Sequence, residues 1–382
     1  MPSSKDARIR VGVIGANPDR GWARATHIPV LQRLEAYDLV AVATTRLESA
    51  KRAGAVFGVE QFFSDPRELV EDPTIDLVTV AVKAPDHHQL VMMALKAGKH
   101  VYCEWPLASS IQQAEEMTTE ASAQGVRAVV GLQARGSPIL RHARDLLADG
   151  YIGPLVAAHV YCALPGGGRR RSSEGLYIID KESGAGPVTI HGGHAVDALR
   201  FCAGEFDYVS GLVANHYEEV EVVETGVRLP KTSPDQLTAH GVFADGAIAS
   251  VSVHGGVACG HRIDLELLGE LGTLRIVGSG RLNFQMSPLK LFGSRCPTGE
   301  LDEIPPPAVK GAIFAESSAG GPFDPYPGVE VPQSALVNIA AIYSDLADVI
   351  RGGGRVMPDF ATGLSLHQLL ARMTAPTQVN AA

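Results

Sequence analysis

The chain has 382 residues, of which 45% are hydrophobic, and a formal net charge of −9. This length and composition are typical of a globular protein with two domains. An acidic chain lacks the broad basic surface that nucleic acids require, so we expect no nucleic-acid partner. The five cysteines are scattered and contain no C-x-x-C pair, which indicates reduced thiols. The first ten residues show no apolar targeting segment and no later run has bilayer length, so we expect a cytoplasmic protein without membrane association.

Over the first 131 residues, short β-rich runs alternate with amphipathic helical segments. The predicted strands are Ile9 to Ile14, Asp38 to Thr44, Leu77 to Val82, His100 to Cys103 and Ala128 to Gly131. The predicted helices are Ala23 to Leu34, Arg46 to Phe57, Pro66 to Glu71, His87 to Ala97 and Ile111 to Gln124. This alternation predicts a parallel sheet with helices on both faces, a doubly wound Rossmann domain over residues 1–132.

From about Pro154 the pattern changes to successive alternating segments separated by turn residues. They are Leu155 to Tyr161, Tyr208 to Tyr217, Gln236 to Phe243, Ala247 to His254 and His261 to Leu268. Two amphipathic helices are predicted near the end of the chain, Gln333 to Arg351 and Ala361 to Met373. The pattern predicts an α+β domain with a large, mostly antiparallel sheet over residues 133–382, so the fold class is α/β followed by α+β.

A glycine-bearing turn follows the first predicted strand, in the sequence VGVIGANPDRG from Val11 to Gly21. Such a turn lets backbone N–H groups approach a pyrophosphate at the start of the next helix. We therefore predict dinucleotide contacts from the turn and from the residue that follows it, namely Gly15, Asn17, Gly21 and Trp22. Asn17 stands where G-x-G-x-x-G has its second glycine, and asparagine tolerates left-handed backbone. The alternative is an ordinary tight turn between a strand and a helix.

The second predicted strand ends in Ala43-Thr44-Thr45-Arg46, without an acidic residue for the adenosine ribose. An arginine beside hydroxyl groups suits a 2′-phosphate, so Thr45 and Arg46 favour NADP(H), with NAD(H) still open. Alternatively, Arg46 only begins a solvated helix face.

The segment AGKHVYCEWPLA, from Ala97 to Ala108, resembles the AGKHVxxEKPxA signature of the Gfo/Idh/MocA oxidoreductases. The Ala84-Pro85-Asp86-His87-His88 turn, the Q-x-R of Gln133 and Arg135, and LLGELGTL from Leu267 to Leu274 extend the resemblance over nearly the whole chain. It implies a nicotinamide-dependent enzyme with further cofactor contacts from Pro85, His88, Glu104 and Gln133. His87 and His88 have the alternative of capping the helix that they begin.

Two positions depart from the family pattern, and both concern proton transfer. Trp105 replaces the usual lysine, and Ile190 replaces the aspartate of a G-x-x-x-D-x-G-x-H-x-x-D stretch. In that stretch His194 and Asp197 match the family, and His191 follows Ile190. The resemblance and the chemistry of neutral histidine predict His194 and His191 as catalytic residues. The alternatives are joint binding of substrate, or histidines that only form hydrogen bonds in the core or in helix packing.

Four further residues are predicted to bind substrate, of which Tyr177 has the alternative of a packing tyrosine. The predicted substrate-binding residues are Arg135, Trp105, Tyr177 and Asp197. No metal is expected, because only Asp197 lies near His191 and His194 as a third ligand. Lys231 would replace the missing lysine if its loop folds over the site, but His194 is preferred for this role. The run Arg169-Arg170-Arg171 suits an anionic substrate, a partner subunit or a solvated charged face.

Three functions remain open at this point. The first is an NAD(P)-dependent oxidoreductase acting on a carbohydrate-like or other polar hydroxyl or carbonyl substrate. The second is a dinucleotide-binding regulator, because Gly21-Trp22-Ala23 and Leu229 to Asp235 resemble the Gal80-like branch of the family. The third is a redox-neutral lyase or hydrolase with a retained cofactor. The resemblance also implies a homodimer or homotetramer formed through the sheet of the second domain.

Overall fold

The computed structural model describes residues 7–279, 281–295, 299–307 and 331–375. They form two compact units, the first from residues 7–136 and 331–364 and the second from the described residues between 137 and 307 with 365–375. The sequence prediction placed residues 133–382 together, whereas the segment 331–364 packs with the first unit. Within the described ranges, no helix combines the length and apolarity needed to cross a bilayer.

The first unit is built on a six-stranded parallel sheet. Its strands are β1 (Ile9–Ile14), β2 (Tyr37–Ala43), β3 (Gln61–Phe63), β4 (Leu77–Val80), β5 (His100–Glu104) and β6 (Ala128–Gly131). The strand order is β3-β2-β1-β4-β5-β6, which is the doubly wound order of a Rossmann domain. The predicted fold of this unit is confirmed. Only the edge strand β3 escaped prediction, because three partly buried residues are too short to show a period.

Most of the predicted helices are present, and two further helices, Pro138–Ala148 and Gly193–Ala203, were not predicted. In chain order they are α1 (Ile28–Leu31), α2 (Leu47–Phe57), α3 (Pro66–Glu71), α4 (His87–Lys96), α5 (Ile111–Ala123), α6 (Pro138–Ala148), α7 (Gly193–Ala203), α8 (Gln333–Gly352) and α9 (Phe360–Thr374). The predicted helix from Ala23 to Leu34 is instead a π-helical turn, Ala23–His27, followed by the short α1. Pro29 lacks the N–H of a regular α-helical bond, which accounts for the irregularity.

Helix α8 completes the core of the first unit, although it comes more than 200 residues after the last strand of that unit. Its buried side chains include Leu336, Ile339 and Tyr343, which join the apolar cluster that contains Val11 and Leu77. Burial of several large apolar side chains is the main source of stability for such a contact. The helix therefore belongs to the nucleotide-binding unit and not to the second sheet.

Tyr343 also carries hydrogen bonds inside this core. Its hydroxyl lies 2.8 Å from Oγ1 of Thr79 and 2.9 Å from Nδ1 of His27. Its ring stacks on Tyr102 with 4.9 Å between the ring centroids. The hydroxyl of Tyr37 donates to the backbone oxygen of Tyr343 over 2.6 Å. These bonds satisfy polar groups that would otherwise be buried without partners.

The second unit contains an eight-stranded and a three-stranded sheet. Its strands are β7 (Leu155–Leu164), β8 (Arg170–Arg171), β9 (Phe206–Ala214), β10 (Glu219–Val222), β11 (Arg228–Pro230), β12 (Gln236–Phe243), β13 (Ile248–Gly255), β14 (Arg262–Gly269), β15 (Gly272–Ser279), β16 (Leu289–Arg295) and β17 (Asp302–Glu303). The large sheet has the order β17-β16-β15-β14-β7-β13-β12-β9, and only β7 and β13 pair in parallel. The predicted, mostly antiparallel sheet is confirmed. The small sheet, β11-β10-β8, and the strands β15, β16 and β17 of the large sheet were not predicted.

Replacing Tyr343 by phenylalanine tests the role of the buried hydroxyl. The change leaves Nδ1 of His27 and Oγ1 of Thr79 without this partner, so we expect the free energy of unfolding to fall by about 1–3 kcal/mol. Urea denaturation measures it. Tyr208 is 56% exposed, and Tyr208→Phe should change stability by less than about 0.5 kcal/mol. Equal stabilities of Tyr343→Phe and the wild type would contradict this account.

Candidate functional site

The turn after β1 is shaped by two glycines in left-handed backbone. Gly15 has φ +94°, and a Cβ built there would lie 2.3 Å from the backbone oxygen of Ala81, so no other residue fits. Gly21 has φ +97° and leads into the first helical turn, where the N–H of Ala25 donates to its oxygen. The strand therefore passes into a helix through a turn that only these glycines allow.

The loop between these glycines is held by its own side chains. Oδ1 of Asn17 accepts from the N–H of Asp19 over 2.9 Å, and Nε of the buried Arg24 donates to the oxygen of Pro18 over 2.9 Å. Asn17 thus shapes the loop with its side chain, and its φ is not positive. Next to the loop, Nε1 of Trp22 is buried without a hydrogen-bond partner. An unsatisfied buried donor beside a phosphate-binding type of turn fits a polar ligand.

The end of β2 carries exposed polar residues, Thr45 and Arg46. Thr44 and Ser49 anchor the following helix through hydrogen bonds to the backbone oxygen of Arg46, at 3.1 and 2.8 Å. These bonds fix the start of α2 while the Arg46 side chain remains in solvent. The register pairs Ile14 with Ala43, so the ends of β1 and β2 lie side by side. This arrangement brings the predicted 2′-phosphate residues next to the glycine turn.

The histidines after β4 have different positions. His87 is buried, with Nδ1 2.8 Å from the oxygen of Pro106 and Nε2 3.1 Å from the oxygen of Val82. Burial lowers the pKa of His87. His88, the predicted cofactor ligand, places its Nε2 2.7 Å from Oε2 of Glu116 on α5. That nitrogen is therefore occupied by a surface contact, whereas Pro85 is exposed in the turn before α4.

Glu104 and Gln133 meet, as expected for two residues of one site. Nε2 of Gln133 donates to both carboxylate oxygens of Glu104, at 2.9 and 2.8 Å. His27 adds a third bond, with Nε2 2.8 Å from Oε1 of Glu104. Oε1 of Gln133 is buried without a hydrogen-bond partner. His27 was missed by sequence reasoning, because nothing in its local pattern indicates a partner 77 residues away.

Trp105 and Arg135 are both buried, at 6% and 8% exposure. Trp105 follows β5 and forms a cis peptide bond with Pro106. Arg135 lies in the short helical turn Gln133–Gly136. In that turn a Cβ on Gly136 would lie 2.1 Å from the backbone oxygen of Asn338, so the turn is tightly packed on α8.

In the second unit, His191, His194 and Asp197 lie on consecutive turns of one helical segment. His191 belongs to the π-helical turn Val188–Gly192, and His194 and Asp197 lie on α7. Nδ1 of His191 and Nδ1 of His194 are both buried without a hydrogen-bond partner. Burial lowers the pKa of His191 to about 4, and Arg171 contributes. Burial lowers the pKa of His194 to about 3, despite the opposing effect of Asp197.

Tyr177 is partly buried and lies close enough to Arg171 for the two groups to influence each other. Burial raises the pKa of Tyr177 and the positive charge of Arg171 opposes this rise. Lys231 has a different role from the one considered from sequence. Its Nζ donates to Oδ1 of Asn215, to the backbone oxygen of Ser233 and to Oδ2 of Asp235, so all three of its protons are used. The bond to Asp235 is a buried ion pair. No group of three or more metal-ligating side chains occurs in the described part of the chain.

The low pKa values predict a pH-dependent stability. The unfolded chain binds a proton at a histidine near pH 6.5, whereas the folded protein resists protonation of His194 down to about pH 3. The free energy of unfolding should therefore fall as the pH decreases below about 6.5. His194→Asn should flatten this slope by up to about 1.4 kcal/mol per pH unit, measured by urea unfolding between about pH 7 and 4.5. The exposed His240 gives the control, His240→Asn, which should keep the wild-type slope. Parallel slopes for the wild type and His194→Asn would contradict the assignment.

Comparison with known proteins agrees with this geometry in both units. The profile of the oxidoreductase family with an NAD-binding Rossmann fold matches residues 9–132, and the profile of the Gal80p C-terminal domain matches residues 138–278. The galactose/lactose metabolism regulatory protein GAL80 of Saccharomyces cerevisiae is 30% identical over 294 residues, which cover 71% of this chain and 67% of that protein. Dehydrogenase aclE of Aspergillus oryzae is 29% identical over 326 residues, covering 80% and 88%.

The fold is also that of a solved relative. A crystal structure of a super-repressor mutant of Gal80p from Saccharomyces cerevisiae superimposes with a TM-score of 0.81 at 24% identity, covering 96% of this chain and 95% of that one. At this identity the likeness concerns the fold alone. Together with the sequence relatives, it shows that the chain belongs to the Gfo/Idh/MocA oxidoreductase family and carries a Gal80-like C-terminal domain.

Proposed function

We propose that the protein is an NAD(P)-dependent oxidoreductase that moves a hydride between nicotinamide and a carbohydrate-like or other polar hydroxyl or carbonyl substrate. The observation that carries the proposal is the pair of neutral histidines whose buried Nδ1 atoms have no partner in the protein. A buried polar atom without a partner is costly, and a substrate hydroxyl or carbonyl group would satisfy it. Similarity to dehydrogenase aclE over most of both chains supports the same reading.

The nucleotide-binding residues fit a dinucleotide. The turn with Gly15, Asn17, Gly21 and Trp22 would hold the pyrophosphate, since it leads into a helix and leaves an unsatisfied donor on Trp22. Glu104 and Gln133, with Pro85, would hold the nicotinamide end, where Oε1 of Gln133 lacks a partner. When bound, nicotinamide accepts or donates the hydride.

His194 would handle the proton that accompanies the hydride. In alcohol oxidation the substrate C–H bond breaks with its electron pair leaving as hydride, and the hydroxyl proton passes to Nδ1 of His194. Burial lowers the pKa of His194, so its ring is neutral at neutral pH and can accept a hydrogen bond from the substrate hydroxyl. To take up the proton, the ring would need bound substrate to raise this pKa towards the working pH. His191 would bind the substrate by a hydrogen bond and would share with His194 the proton that leaves the substrate hydroxyl. Arg135, Tyr177 and Asp197 would orient substrate or histidine, and Trp105 offers an aromatic face for stacking in place of the missing lysine.

The second candidate is a dinucleotide-binding regulator without hydride transfer. It is favoured by the loss of two proton-handling groups, with Trp105 and Ile190 at the lysine and aspartate positions, and by 30% identity to a regulatory protein. A redox-neutral lyase or hydrolase with a retained cofactor would use the same residues but leave the cofactor without net change. Turnover of the cofactor separates these cases.

Hydride transfer is tested at near-stoichiometric protein with NADP⁺ or NAD⁺ and a panel of sugars, polyols and aromatic alcohols, by absorbance at about 340 nm. We expect reduced cofactor to form, and His194→Asn to slow its formation by about 10²-fold or more. His240→Asn is the matched control and should be unaffected. If the wild type is silent although nucleotide binds, Trp105→Lys separates a dormant dehydrogenase, which gains transfer, from a regulator, which gains none.

We propose NADP(H) as the preferred cofactor, supported by Thr45 and the exposed Arg46 at the end of β2. Arg46→Met should weaken NADP⁺ binding about tenfold or more while NAD⁺ binding changes less than about twofold, because only NADP⁺ carries the 2′-phosphate. Titration calorimetry measures both constants. Arg67→Met removes an equally exposed arginine on α3 and should change neither. Equal effects of Arg46→Met on the two nucleotides would rule out the preference.

We further propose a homodimer or homotetramer formed through the large sheet. The strands of that sheet expose large apolar side chains, with Leu212 73%, Ile248 58% and Tyr208 56% exposed. Such side chains on sheet strands favour burial against another copy.

A further inference from the structure

The three consecutive arginines after the glycine-rich loop have three different environments. The guanidinium of Arg169 lies 5.3 Å from the ring centroid of Tyr217. Arg170 is exposed, and its Nε lies 3.3 Å from Oε1 of Glu221. Arg171 is partly buried, and its Nη2 is buried without a hydrogen-bond partner. Successive residues of a strand point to opposite faces, and because Arg170 and Arg171 form β8, their side chains diverge.

Arg171 lies near His191, one of the two histidines of the proposed site. Its charge acts on His191 and on Tyr177, and His191 in turn acts on His194. Two neighbours fix the position of His191, one at its backbone and one at its ring. Nδ2 of Asn283 donates to its backbone oxygen over 3.0 Å, and a Cβ on Gly166 would lie 2.3 Å from its Nε2. The glycine loop thus comes so close to the imidazole that a larger residue at Gly166 would displace the His191 ring.

The positive charge of Arg171 has no negative partner among the groups that the structure describes around it. Arg171 carries a permanent positive charge, and its pKa is lowered by burial, so the charge is partly desolvated. The group that offsets this effect is the phenol of Tyr177, and in the described part of the chain no carboxylate forms an ion pair with Arg171. A partly desolvated guanidinium without a counter-charge is unfavourable, and an anionic group bound in its fork would relieve it.

We propose that Arg171 receives an anionic group of the ligand, a carboxylate or a phosphoryl group, while the unpartnered Nδ1 atoms of His191 and His194 receive its hydroxyl or carbonyl oxygens. The ligand class is therefore an acidic polyhydroxy compound, such as a sugar acid or sugar phosphate, and not a neutral sugar. This inference deepens the proposed function and rests on it for the reacting group. Binding of the acid itself is measured without turnover, so the two proposals fail separately.

Titration calorimetry of the full chain with NADP⁺ present tests the proposal with three probes, D-glucuronate, D-glucose 6-phosphate and D-glucose. The acids differ from glucose at one carbon, so the comparison isolates the anionic group. We expect at least one acid to bind about tenfold or more tightly than glucose, and the better acid identifies carboxylate or phosphoryl chemistry. Equal binding of all three probes, or no binding of either acid, would overturn the proposal.

Variants assign the preference to one arginine. Arg171→Met should abolish the preference for the acid, Arg171→Lys should retain part of it, and Arg170→Met, which removes the same charge from the neighbouring exposed residue, should keep it. Without ligand, Arg171→Met should melt at the wild-type temperature or above, because it removes an uncompensated charge. A lower melting temperature together with an unchanged preference for the acid would show that Arg171 only supports the loop, and the proposal would fall. Acid binding without hydride transfer would preserve this site and remove the redox function.

Discussion

Within the first unit, a buried chain of hydrogen bonds connects the core to Glu104, a candidate cofactor residue. It runs from Thr79 through the hydroxyl of Tyr343 and the ring of His27 to the carboxylate of Glu104. One consistent set of donors runs along this chain: Thr79 donates to Tyr343, Tyr343 to Nδ1 of His27, and Nε2 of His27 to Glu104. Gln133 completes the carboxylate from the other side. The position of Glu104 therefore depends on a helix from the far end of the sequence.

These contacts explain how the Rossmann domain can keep its structure although two residues of the family's catalytic pattern have changed. The glycine turn is held by close backbone packing, and Glu104 is held by hydrogen bonds from Gln133 and His27. The second unit contributes histidines that are neutral because they are buried. In the proposed function these residues would bind cofactor and polar ligand, and a histidine would carry the proton in place of the usual lysine and aspartate.

Sequence patterns identified most of the fold because β-branched runs, helical periods and turn glycines are local signals. The strands β1 and β12 match their predicted limits, and α3 does as well. Tertiary partners were not accessible in this way. Nothing local distinguishes Arg171 from Arg170, since the difference arises from the register of a two-residue strand. Lys231 resembled a free cation, yet its three protons are used by Asn215, Ser233 and Asp235.

The central claim is that hydride transfer survives in this altered site, and isotopic labelling tests it most directly. The protein is mixed with polar carbonyl compounds and with the reduced dinucleotide, NADPH or NADH, that carries deuterium at C4 of the nicotinamide ring. The products are analysed by mass spectrometry. The account predicts deuterium on the former carbonyl carbon of one product, with loss of the label in His194→Asn. Deuterium that remains wholly in the cofactor, with tight nucleotide binding on the same sample, would contradict the account.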